Sequence, residues 1–70
     1  MTLEPMQLFS KVRLICNNYA DDGLKLGDEG VIVEFYPDGA YEVDFSDENG
    51  ITIAVIAVRR QDIEVLRLPE

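Results

Sequence analysis

Apolar residues in this chain recur mostly at alternate positions, in short runs separated by Asn, Asp, Gly and Pro. Such runs predict short strands that each bury one face and end in turns. Residues 11–16, Lys-Val-Arg-Leu-Ile-Cys, alternate in this way and place Val12, Leu14 and Cys16 on one face. Residues 17–29 hold the turn formers Asn, Asp and Gly and predict a long loop, with Leu24 and Leu26 anchoring it to the core.

The next segment has the clearest pattern. It reads Gly30-Val-Ile-Val-Glu-Phe-Tyr36, then Pro37-Asp38-Gly39, then Ala40-Tyr-Glu-Val-Asp-Phe45. Pro37-Asp38 suits the centre of a type I turn, and Gly39 suits the left-handed position after it. A three-residue loop of this kind pairs Tyr36 with Ala40. Counting outward pairs Phe35 with Tyr41, Val33 with Val43 and Val31 with Phe45, so that these apolar side chains share a face. On the other face Glu34 lies across from Glu42, and Asp44 across from Ile32.

Residues 51–58, Ile-Thr-Ile-Ala-Val-Ile-Ala-Val, predict a fourth strand. With Ile51, Ile53, Val55 and Ala57 inward, the opposite face carries Thr52, Ala54, Ile56 and Val58. That face is too apolar for water, so either residues 1–10 or another chain would cover it. Residues 59–62 predict a helical turn and residues 63–68 a last strand, ended by Pro69. Residues 1–10 are a lead-in, with Pro5 opposing helix there and Leu8 and Phe9 tucked under the barrel end. The expected fold class is all-β: a small five-stranded SH3-like barrel over residues 11–68, with a one-turn helix before the last strand.

The chain has 70 residues, which allows one small domain. No apolar run reaches the ~20 residues of a membrane span. Residues 1–10 lack the basic and apolar regions of a signal peptide. A single cysteine, Cys16, excludes an internal disulfide and suits a reducing, cytoplasmic setting. Fourteen acidic residues against six basic ones give a net charge of −8. That charge repels phosphate, disfavours nucleic acid, and steers a basic partner inward.

Residues for catalysis are missing from the pattern. The chain has no histidine, the commonest general base and zinc ligand. Cys16 sits in an apolar strand with no base to activate it and reads as a small core residue. Gly27-Asp28-Glu29-Gly30 lacks the lysine of a phosphate loop, and residues 44–48 lack the spacing of a calcium loop. No enzyme activity, metal or cofactor is expected.

What remains is binding. Like charges directly opposed across a sheet weaken it, so Glu34 against Glu42 calls for a reason beyond solvation. With Tyr36, Asp38 and Asp44 they form a candidate face for a Lys- or Arg-rich protein. Thr52, Ala54, Ile56 and Val58 form a candidate second interface, as in a homodimer, with Arg59 and Arg60 at its rim.

The segments Leu24-Lys-Leu-Gly-Asp-Glu-Gly-Val31 and Tyr36-Pro-Asp-Gly-Ala-Tyr-Glu-Val-Asp-Phe45 resemble those of a family of short bacterial proteins known as domain of unknown function 4926. The resemblance spans roughly residues 9–66 and is most specific in Asp38–Phe45. It implies an SH3-like barrel and no established activity. By analogy, short acidic proteins of this kind suit the acidic half of a toxin–antitoxin or toxin–immunity pair. The expected function is a non-enzymatic protein-binding module. A homo-oligomeric or accessory subunit is the alternative, and a KOW-like nucleic-acid binder the third, at odds with the missing basic surface.

Overall fold

A computed structural model describes residues 6–69. It contains five strands: β1 (Lys11–Leu14), β2 (Glu29–Phe35), β3 (Tyr41–Ser46), β4 (Thr52–Val58) and β5 (Ile63–Arg67). All neighbours pair antiparallel in one rolled sheet of order β4-β3-β2-β1-β5. The fold is the expected all-β, SH3-like one, with a 3₁₀ turn (Arg60–Asp62) directly before β5. The roll stops short of hydrogen-bonded closure: β4 and β5 are the two ends of the sheet. A second 3₁₀ turn (Ala20–Asp22) lies in the long loop.

The β2–β3 hairpin turns where the sequence predicts. Tyr36 N–H donates to the Ala40 carbonyl (2.9 Å), Gly39 N–H donates to the Tyr36 carbonyl (3.0 Å), and Gly39 has φ +92°. Phe35 pairs with Tyr41, their rings edge-on at 5.4 Å, and Glu34 pairs with Glu42. Beyond that point the predicted register fails. The ladder shifts between Ile32 and Glu34, leaving Val33 as an extra residue. Ile32 then pairs with Val43, Val31 with Asp44 and Gly30 with Phe45, in place of Val33–Val43, Val31–Phe45 and Ile32–Asp44. The reason is packing. Once the strand bulges, Ile32 enters the core with Val43 and Phe45, all of them fully buried, and Gly30 lets the strands close. A Cβ on Gly30 would lie 2.6 Å from the Asp44 carbonyl oxygen.

β4 differs in the same manner. A second irregularity falls between the Phe45–Ala54 and Ser46–Thr52 pairs, so the strand faces are exchanged beyond it. Val58 is buried, Ala54 and Ile56 pack half-buried against the core, and Val55 and Ala57 face out. The apolar face predicted to need a cover is therefore largely the core face. Ile51 is exposed, while Ile53 stays half-buried within the irregularity.

Two predicted anchors are also exchanged for others. Leu8 and Phe9 are exposed, and Met6 and Ser10 are buried in their place. A turn closed by Ser10 N–H on the Gln7 carbonyl holds Phe9 at φ +66°, and this reversal sends Met6 inward. Leu24 is buried as predicted. Leu26 is exposed, because it occupies the outer corner of a turn closed by Asp28 N–H on the Lys25 carbonyl, with Gly27 at φ +97°. Pro5 lies outside the described residues.

Candidate protein-binding face

The outer surface of β2, β3 and β4 is built by the registers above. One row across it reads Val31, Asp44, Val55, and the next reads Glu34, Glu42, Ala57. Tyr36 and Asp38 lie at the hairpin end of the same surface. The structure thus brings together all five residues of the acidic face predicted from sequence. It adds Thr52, whose hydroxyl donates to an Asp44 carboxylate oxygen (3.0 Å) and which the sequence pattern places in the candidate second interface instead. It also adds Val55 and Ala57. No sequence signal identified these, because the β4 irregularity that turns them outward is a packing event.

The carboxylates differ in how far they are already used. Asp38 accepts Ala40 N–H (3.0 Å) and so shapes the hairpin loop. Glu34 curls back to accept Phe35 N–H (3.1 Å). Hydrogen bonding to Glu42 raises the pKa of Tyr36, with burial and the charges of Glu42, Glu34 and Asp38 acting in the same direction. Tyr36 therefore stays a neutral hydroxyl donor beside the opposed pair.

Three of the six cations are paired with acids elsewhere. Lys11 pairs with Glu29 (3.2 Å), Arg13 with Glu64, and Lys25 with Asp28 (2.8 Å). Among the described residues, no Lys or Arg forms an ion pair with Glu34, Asp38, Glu42 or Asp44. Arg59 and Arg60 border a shallow cleft with the Asp38–Ala40 tip, at the edge of the face. A separate groove lies apart from these residues, bordered by Phe9, Leu26, Arg67 and Leu68 among others.

The conspicuous Gly27-Asp28-Glu29-Gly30 stretch is scaffold. Gly27 takes the left-handed position of its turn, and Gly30 admits the β3 backbone. Asp28, buried, accepts both Lys25 N–H (2.9 Å) and Lys25 Nζ (2.8 Å). Burial alone would raise the Asp28 pKa. The two bonds and the ammonium charge outweigh it and hold the carboxyl below its usual range. Cys16 is half-buried against the core, and no helix among the described residues is long and apolar enough to cross a membrane.

Fold and surface together define a small all-β domain with an acidic sheet face. The chain belongs to the family of the domain of unknown function DUF4926, whose model matches residues 8–65. No curated protein and no solved structure matches it.

Proposed function

We propose that this protein is a non-enzymatic binding module whose acidic β2–β3–β4 face captures the basic surface of a protein partner. One observation carries the reading: the chain pairs Lys11, Arg13 and Lys25 with acids elsewhere, and among the described residues Glu34 and Glu42 are directly opposed with no ion pair to either. An arrangement that opposes folding is supported when it is used in binding, where Lys or Arg heads relieve the repulsion. Exposed Val55 and Ala57, beside Asp44 and Glu42, offer apolar ground for the stems of those side chains. A co-encoded basic protein, as in antitoxin- or immunity-like pairs, suits this chemistry. A reducing cytoplasmic setting suits the lone thiol.

The test is capture from the native cell with wild type and with the Glu34→Gln, Glu42→Gln, Asp44→Asn triple variant, followed by titration of the recovered partner. The variant should bind more weakly and with a flatter salt dependence. Equal capture and an unchanged salt slope would remove the proposal.

A further inference from the structure

The two ends of the sheet are built differently. β5 carries Glu64 and Arg67 and is followed by Pro69, the charges and proline that discourage edge pairing. β4, Thr52–Val58, has neither a charged residue nor a proline along its length. Its free backbone groups follow from the ladder. Tyr36 and Ala40 are hydrogen-bonded partners, so alternation directs the backbone groups of Tyr41, Val43 and Phe45 toward β4. Their partners there are Val58, Ile56 and Ala54. The N–H and C=O groups of Val55 and Ala57 therefore point away from β3, and among the described residues none of them has a backbone partner.

We infer that this edge pairs with β4 of a second copy of the chain, antiparallel and about a two-fold axis at Ile56. The regular segment 54–58 then overlaps itself in full. Val55 exchanges hydrogen bonds with Ala57 of the other copy, and Ile56, only half-buried in one chain, meets its own equivalent. Charge selects the antiparallel direction. Arg59 and Arg60 follow β4, whereas Asp47 and Glu48 precede it and Asp44, opposite Val55, holds its carboxylate on the hydroxyl of Thr52, the first residue of the strand. Antiparallel pairing brings the arginines of each copy to the acids of the other, while parallel pairing would gather like charges. The occupant is a copy of this chain because the edge is complementary to itself in hydrogen bonding, side-chain size and charge. The acidic face of Glu34 and Glu42 is left on the outer surface, so this inference does not depend on the proposed function.

Sedimentation of the purified chain from micromolar to near-millimolar concentration, with no partner present, tests it. Wild type should show a monomer–dimer equilibrium, and amide exchange at Val55 and Ala57 should slow as dimer forms. Ala57→Pro removes an outward N–H and should weaken the dimer at least about tenfold. Arg59→Glu should weaken it several-fold, and adding Asp44→Lys to Arg59→Glu should recover much of the loss. The second pair of variants keeps the test open should Ala57→Pro fold poorly. A wild-type chain that remains monomeric throughout, or association that Arg59→Glu leaves unchanged, overturns the inference. Open-ended growth in place of a dimer overturns it as well.

Discussion

The Tyr19 hydroxyl donates a 2.6 Å hydrogen bond to the Asp62 carboxylate, joining the first part of the long loop to the 3₁₀ turn before β5. Arg59 N–H approaches the same hydroxyl at 3.4 Å. The Asp62 carbonyl in turn accepts Ile15 N–H (2.9 Å). These contacts tie the loop to both unpaired ends of the sheet, near β4 and at β5, and take the place of a β4–β5 ladder. Tyr19→Phe should cost about 1–2 kcal/mol, because buried Asp62 loses its donor. Urea unfolding measures the loss; wild-type stability in the variant would show that the loop is not held this way.

The same hydroxyl and the Lys25–Asp28 pair make the stability of the fold depend on pH. Asp28 has a depressed pKa, so its contribution is present above the ordinary carboxylate range and lost as pH falls through the lower folded value. Tyr19 is raised, first by burial and then by the Asp62 bond, and Lys25 is raised by its hydrogen bond to Asp28. Their contributions are present below the ordinary Tyr and Lys values and are lost as pH rises through the folded ones. Asp28→Asn should therefore reduce stability at neutral pH by about 1–2 kcal/mol, flatten the acid limb, and leave only the Tyr19 part of the alkaline limb in place. Thermal unfolding across pH reads both; an unchanged acid limb would assign it to other carboxylates.

What the sequence revealed and what it hid share one cause. The reversal at Tyr36–Ala40 was legible because Pro37, Asp38 and Gly39 each have a local conformational preference. The Glu34–Glu42 pair was legible because it lies within a few residues of that turn. The irregularities at Val33 and Ile53 were not, since each is fixed by which side chains fill the space around Phe45 and Val43. A slip of one residue flips every later side chain, so the predicted β4 faces came out exchanged. Phe9 was hidden for a similar reason: nothing in its neighbours signals a positive φ. The acidic face survived these slips because most of its members sit close to the turn, on the near side of them.

Gly30 and Gly39 separate two reasons for glycine. A methyl group at Gly30 would stand 2.6 Å from the Asp44 carbonyl oxygen and 2.7 Å from Val43 Cγ1, both in the buried centre of the sheet. At Gly39 there is open space, and only the φ of +92° opposes a side chain. Gly39→Ala should cost about 1 kcal/mol. Gly30→Ala should cost about 3 kcal/mol or leave the chain unfolded, since the β2–β3 ladder must part to admit it. Chemical denaturation of the two variants gives the ranking; Gly30→Ala as mild as Gly39→Ala would mean that the strands can spread at Phe45.

Stability and binding should move in opposite directions at the opposed glutamates. Glu34 and Glu42 face each other, neither in an ion pair among the described residues, and like charges so placed weaken a sheet by up to about 1 kcal/mol. Glu42→Gln keeps the size and the acceptor for Tyr36 but removes one charge. It should therefore raise the melting temperature in low salt, with a smaller rise in high salt, where screening already weakens the repulsion. If the face serves a basic partner, the same change should weaken capture. A residue pair that only meets solvent would gain stability on Glu42→Gln and lose nothing else. A variant more stable and equally well bound would thus detach the acidic face from function, while one more stable and poorly bound would show that the repulsion is retained for the complex.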